Sequence, residues 1–345
     1  MTEAPVTHAD TAAPAPRRHR IRIAFLVAVA LIAVLAGYLF LRPVTVALPT
    51  GPGAAAASWD EAVARVHAIQ AREDADPTIL PECRTQLHDG GAPTADVVVL
   101  FHGYTNCPKQ YDRLAQELAD RGYTVLVPRM PHHGEVPGSP GLLDSLTGEQ
   151  LTTHADEAMD IADGLGDRIT VLGLSGGGAV ASYIAQHRPD ADLVIAISAF
   201  LGIPTVPEWL TPAFINALGL LPPLDQREPP PDEATRGAYP HGASDTTTHG
   251  AVSYMRVGQT VLDAAAREAP KAGRIVVVIN DADETVSNAM IEDLARRWTN
   301  LAPDRTGIYR FDASLAVLHD LITPDRDGQK VDLVYPVLIS LMSGT

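Results

Sequence analysis

Arg168-Ile-Thr-Val-Leu-Gly-Leu-Ser175-Gly-Gly-Gly-Ala-Val-Ala-Ser-Tyr-Ile-Ala185 reads as strand, sharp turn and helix. Ile169 to Leu172 has the length and residue types of a buried parallel strand. After the turn, Ala179, Ala181, Ile184 and Ala185 offer a small-residue face that can pack closely on a sheet. Between them lies Gly173-Leu174-Ser175-Gly176-Gly177, a G-x-S-x-G frame whose glycines let the chain turn tightly and leave the serine hydroxyl exposed above the sheet edge. A glycine-rich turn with an incidental serine would look the same in isolation. The strand before it and the helix after it favour a serine that attacks a carbonyl.

Outward from this unit, strands and helices alternate. Ser58-Trp-Asp-Glu61 is a capping-box pattern opening a helix through about Arg72. Apolar strands are expected at 96–101, 124–128, 192–197, 274–279 and 307–311. Helices are expected near 110–121, 148–164, 287–298 and 327–342. Such alternation implies an α/β fold, with a mostly parallel sheet covered on both faces and function gathered at the carboxyl ends of the strands. Residues 200–268 interrupt the pattern with Pro204, Pro207, Pro212, Pro222, Pro223 and the run Pro229-Pro230-Pro231, around an apolar stretch from Trp209 to Leu221. This is too long for a simple loop and reads as an inserted cap over the strand ends.

A serine needs a base to take its proton, a third group to orient that base, and donors for the oxyanion. Among the histidines, His319 follows the last strand and is the expected base. The acid should follow the preceding strand, where Asn280-Asp-Ala-Asp-Glu-Thr-Val286 offers three carboxylates. Asp283, three residues before the apolar Val286, is the expected acid, with Asp281 as the fallback. The backbone N–H groups of Gly176 and of Tyr104, in Phe101-His-Gly-Tyr-Thr105, are the expected oxyanion donors. His102 is a rival base, although a histidine entering a tight glycine turn more often orders its loop. His132 and His133 suggest a metal, but no third ligand stands at a fixed spacing. No metal and no cofactor are expected.

Taken together, these residues resemble the α/β-hydrolase superfamily, and most closely its carboxylesterase and monoacylglycerol-lipase-like branch of serine hydrolases. The resemblance rests on Leu100-Phe-His-Gly-Tyr-Thr105, Pro128-Arg-Met-Pro-His-His-Gly134, Gly173-Leu-Ser-Gly-Gly177, Asp283-Glu-Thr-Val286 and His319-Asp320, in the order Ser175, Asp283, His319. It covers roughly residues 92–342. Where the branch commonly reads Pro-Gly-His-Gly, this chain has Pro131-His-His-Gly134. The resemblance implies an α/β-hydrolase fold and ester hydrolysis through an acyl-enzyme. The inserted cap over 200–268 and the N-terminal segment lie outside it, and the apolar cap, not the resemblance, points to a small-molecule or lipid-like ester. Amidase, peptidase and thioesterase chemistry use the same machinery. A hydrolase-fold binding protein with a vestigial site is the reading from another class.

The 345 residues carry a net charge of −16, spread along the body, which disfavours nucleic acid as a partner. Near the N-terminus, Arg17, Arg18, Arg20 and Arg22 precede an uncharged, mainly apolar run from Ile23 to Leu41, closed by Arg42. That run is near the ~20 residues a helix needs to cross a bilayer, and the arginine bias places its N-terminal side in the cytoplasm. The expected organisation is a cytoplasmic tail over 1–20, a transmembrane signal-anchor over 21–42, a Pro/Gly/Ala-rich linker over 43–57 and a hydrolase domain over 58–345. The body would be extracytoplasmic. A cleaved signal with its site at Ala55-Ala56-Ala57, giving a secreted protein, is the alternative. In an exported chain, Cys83 and Cys107 can form a disulfide.

Overall fold

The computed structural model describes residues 17–49, 53–136, 142–227 and 245–343, so the chain before Arg17 and the triple-proline run lie outside the described residues. The chain divides into two units, Met1–Arg42 and Pro43–Thr345. The first contains helix α1 (Arg17–Leu41), whose segment Arg20–Leu41 is long and apolar enough to cross a membrane, with a mean hydropathy of 2.8.

The second unit is built on a seven-stranded sheet. Its strands are β1 (Gln86–His88), β2 (Thr94–Phe101), β3 (Thr124–Val127), β4 (Gly166–Leu174), β5 (Leu193–Ile197), β8 (Arg274–Asn280) and β9 (Thr306–Phe311), where β6 (Asp225–Arg227) and β7 (Asp245–Thr247) form a separate antiparallel pair. The order across the sheet is β1-β3-β2-β4-β5-β8-β9. Only the edge strand β1 runs antiparallel to its neighbour, among the described residues. Parallel strands need covering on both faces, and Val97 to Phe101 in β2 are accordingly fully buried.

Two apolar layers supply that cover. On one face pack α2 (Trp59–Ala75), α4 (Gly148–Leu165), α5 (Gly176–His187), α7 (Thr248–Ala265) and α8 (Asn288–Leu301), through residues such as Val66, Met159, Ile184, Val261 and Leu294. On the other lie α3 (Asp112–Ala119) and α9 (Val331–Ser343), through Leu114, Leu118, Val334 and Leu338. The expected helix starts are present: Ser58 accepts from Glu61 N–H, and Thr147 with Gln150 closes a full capping box on α4. A helix α6 (Thr211–Leu218) completes the set.

The stretch 200–268 splits into two kinds of structure. Its first part carries α6 and the β6–β7 pair, and leaves Trp209, Leu220, Leu221 and Leu224 at least half exposed. Its last part is α7, whose Tyr254, Val257 and Val261 are fully buried, so it is a body helix rather than a covering one. Likewise 43–57 does not stand free as a linker over its described residues. Val44 and Val46 are buried, and Val46 N–H donates to Thr260 Oγ1 at 2.8 Å. The Arg256 guanidinium donates to the carbonyls of Val44 and Thr45. Ala56 is buried too, and its N–H donates to the Asp160 carbonyl at 2.7 Å. The alternating valines supply an apolar edge that composition alone, dominated by Pro, Gly and Ala, conceals.

Candidate active site

At the end of β4, Ser175 adopts φ 58° and ψ −113°, the left-handed region that a side chain enters at a cost of about 1–3 kcal/mol. Three backbone bonds hold it there: Ser175 N–H to Ile197 O at 2.9 Å, Phe200 N–H to Ser175 O at 2.8 Å and Ala179 N–H to Ser175 O at 3.0 Å. The glycines around it are required by proximity. A methyl on Gly177 would lie 1.9 Å from Phe101 O, and one on Gly173 would lie 2.0 Å from Gly177 O. The G-x-S-x-G frame thus fixes how closely α5 can dock under β2.

His319 and Asp283 meet at the same sheet edge, in the loops after β9 and β8. His319 Nδ1 and Asp283 Oδ2 are 2.6 Å apart, and the Asp283 side chain is fully buried. The other carboxylate oxygen, Oδ1, accepts from Thr285 N–H at 2.8 Å and Val286 N–H at 3.3 Å. Burial pushes the Asp283 carboxyl up, but the His319 hydrogen bond and charge, with the Thr285 N–H, outweigh it and hold the group below its ordinary range. Asp283 therefore stays ionised. With Nδ1–H donated to it, the neutral imidazole presents Nε2 as a proton acceptor. Asp281 is employed elsewhere, in an ion pair with Arg310 at 2.8 Å. Beyond the histidine, Asp320 braces its own loop by accepting from Ile322 and Thr323 N–H and from the Thr323 hydroxyl.

Across the elbow, the loop after β2 abuts the start of α5. A methyl on Gly176 would lie 2.9 Å from Tyr104 N. Among the described residues, neither the Tyr104 nor the Gly176 N–H is engaged in a hydrogen bond. Both are available to an oxyanion, and Gly176 adds the positive end of a helix. The Tyr104 hydroxyl bonds both the N–H (2.8 Å) and the carbonyl (2.7 Å) of Thr247, which ties this loop to the start of α7. Gln110 Oε1 accepts the Gly103 N–H at 2.8 Å.

His102 is fully buried; its Nε2 accepts from Met130 N–H at 3.1 Å and its Nδ1 faces Gly103 O at 3.0 Å. Burial, with the neighbouring His133 charge, holds its pKa far below the ordinary value. Both ring nitrogens are thus engaged in ordering the loop. His133 bonds Pro131 O and the Tyr254 hydroxyl, and burial lowers it to about 4. No group of three His, Cys, Asp or Glu side chains suited to a metal occurs among the described residues. Cys83 and Cys107 are joined in a disulfide, and Gly134, at φ +71°, packs directly on it.

The structure therefore brings His319 to Asp283 and Tyr104 to Gly176. It does not join Ser175 to His319: no hydrogen bond to the Ser175 hydroxyl occurs among the described residues. Catalytic hydrogen bonds are often longer in ligand-free sites. Sequence reasoning missed Tyr254, Thr247, Gln110 and Asn280. Only Asn280 carried a signal, as a polar residue closing the apolar run Ile275 to Ile279.

The family described as serine aminopeptidase, S33, matches residues 92–302, a span that contains Ser175 and Asp283 and ends before His319. The thermostable monoacylglycerol lipase of Bacillus sp. strain H-257 is 31% identical over 133 residues, which cover 35% of this chain and 50% of that protein. The pyrethroid hydrolase of Sphingobium wenxiniae is 33% identical over 141 residues, covering 39% of this chain and 49% of the other. The chain thus spans about half the length of the curated relatives it matches. Among solved structures, the Paleococcus ferrophilus monoacylglycerol lipase superposes with a TM-score of 0.57 at 20% identity, covering 76% of this chain and 98% of that one; this likeness is one of fold.

Proposed function

The chain belongs to the serine aminopeptidase S33 family and has the α/β-hydrolase fold, and from that premise we propose that it is a serine hydrolase cleaving carboxylic esters, of the lipase or esterase type. The observation that carries this reading is the 2.6 Å His319–Asp283 pair at the sheet edge that also bears the Ser175 elbow. His319 Nε2 takes the hydroxyl proton as Ser175 Oγ bonds to the ester carbonyl carbon. The carbonyl oxygen becomes an oxyanion, received by the N–H groups of Tyr104 and Gly176. The tetrahedral intermediate collapses, the carbon–oxygen bond to the alcohol breaks, and His319 returns its proton to the leaving oxygen. Water then attacks the acyl-enzyme, with His319 taking a water proton and passing it to Ser175. Asp283 holds the imidazole orientation and favours its cation.

The names of the two curated relatives, a monoacylglycerol lipase and a pyrethroid hydrolase, support ester substrates. The exposed Trp209, Leu220, Leu221 and Leu224 support poorly soluble, lipid-like ones. The description of the family as an aminopeptidase favours amide cleavage as the second reading. We further propose that α1 anchors the protein in the membrane with the body outside the cytoplasm. The disulfide suits that compartment. Cleavage at Ala55-Ala56-Ala57 would remove the buried Val44, Val46 and Ala56, which favours an uncleaved anchor over a secreted product.

A fluorophosphonate is expected to label Ser175, and Ser175→Ala to abolish labelling; labelling unchanged in that variant would sink the assignment. A chain-length series of p-nitrophenyl esters beside aminoacyl amides then separates the two substrate classes. Strong amide cleavage with flat, weak ester turnover would favour the peptidase.

A further inference from the structure

We propose that Asn280 is a positioning residue that sets the His319–Asp283 pair, by clamping the acid loop and the histidine loop together through one buried amide. The role it is given in turnover rests on the hydrolase reading above. Asn280 is the last residue of β8 and is fully buried. Its Nδ2 donates to Val317 O at 2.9 Å and to Leu318 O at 3.2 Å, the two carbonyls immediately before His319. Its Oδ1 accepts from Ala282 N–H at 3.1 Å, the residue immediately before Asp283. Its own carbonyl accepts from Asp283 N–H at 3.0 Å and from Asn288 Nδ2 at 2.9 Å.

The side-chain amide thus reaches the two residues before His319 and the one before Asp283, and the Asn280 carbonyl holds Asp283 itself. Asp320 and Thr285 stabilise one loop each, whereas Asn280 fixes the separation between the two. A carboxylate and an imidazole on independent loops would find each other, but with a mobile Nε2. In a reaction where misplacement by about 1 Å costs on the order of 100-fold, that mobility would be expressed in kcat. The amide is suited to the task because it both donates twice and accepts, without placing a charge beside Asp283.

The test uses the full chain. In wild-type protein the two Asn280 side-chain amide protons are expected to resist exchange with D2O, and the His319 Nδ1 proton to resonate far downfield. Rapid exchange of that amide would overturn the proposal without any variant being made. Asn280→Ala is expected to lower kcat about 10- to 100-fold with KM changed less than about threefold, and to move the His319 resonance upfield or broaden it away. Asn280→Asp, which keeps the size and the acceptor but loses both donors, is expected to do the same. A folded Asn280→Ala protein with an unchanged His319 resonance and unchanged kcat would refute the clamp. Should the wild type hydrolyse neither esters nor amides, the functional reading fails, while the resonance and exchange measurements still decide the clamp.

Discussion

On one side of Ser175 the loops 102–107 and 129–134 are held by a disulfide, three uncharged side chains and a guanidinium that is itself paired. His133 meets His102 and Tyr254 edge to face and hydrogen-bonds the Tyr254 hydroxyl, while Arg129 bonds Glu73 and the His133 carbonyl. On the other side the loops 280–286 and 317–323 are held by a carboxylate–imidazole pair and amide hydrogen bonds. In the proposed hydrolase the first side has only to present fixed N–H groups, and neutral rings and a covalent tie would do that without adding charge beside a developing oxyanion. The second would move a proton, with a buried charge positioned by hydrogen bonds. On that proposal one side serves rigidity and the other protonation.

The largest effect expected from this division is on the second side. Asp283→Asn keeps the shape but loses the charge and the tautomer control, so kcat should fall by roughly 1,000- to 10,000-fold. Asp281→Asn, whose carboxylate serves Arg310, should change kcat by less than about threefold. Steady-state kinetics of the two variants side by side checks this. A large loss in Asp281→Asn would mean that the wrong carboxylate has been given the role.

Next in size is the covalent tie. Cys83 and Cys107 are 24 residues apart, so opening their bridge should cost about 3 kcal/mol through loop-closure entropy. Because Cys107 follows Tyr104 by three residues and Gly134 packs on the bridge, reduction should lower turnover before the fold is lost. Activity and circular dichroism followed together during reduction measure this. Loss of both in one step would show that the bridge holds the body as a whole and not the oxyanion loop in particular.

The contrast also explains what could be read from residues alone. That Ser175, Asp283 and His319 lie along one edge of the sheet was legible because each follows a strand and the strands announce themselves as apolar runs. The parallel sheet was legible for the same reason. What orders the loops was mostly not. Gln110 acts from a short 3-10 turn (Pro108–Tyr111) before α3 and Tyr254 from α7, where they look like ordinary surface or core residues, and only the fold brings them to Gly103 and His133. The buried edge made by Val44 and Val46 was hidden among prolines and glycines. The place of α7 in the body depended on contacts with α4 and α5 that no local pattern encodes.

Acid should separate the two sides, because their titrating groups are shifted in different windows. His133 falls from 6.5 to about 4 on folding, chiefly through burial. It is a base whose native form is neutral, so the unfolded chain binds its proton first as pH drops. The stability it contributes is therefore full above pH 6.5 and is lost between pH 6.5 and 4. Fully buried as it is, His133 should account for on the order of 3 kcal/mol of that loss, with His154, also lowered to about 4, and His102, held far below 6.5, adding to it. Asp283 works in a lower window: its carboxyl is held below 3.8, so its contribution is present above that value and is lost as pH falls through the lower native one. Thermal melting from pH 7 to 4.5 should thus report the oxyanion side, and His133→Gln should flatten that slope while leaving the decline below pH 4 in place. A slope unaltered by His133→Gln would mean that the neutral rings are not what acid attacks first, and the division between a rigid side and a protonating side would need to be redrawn.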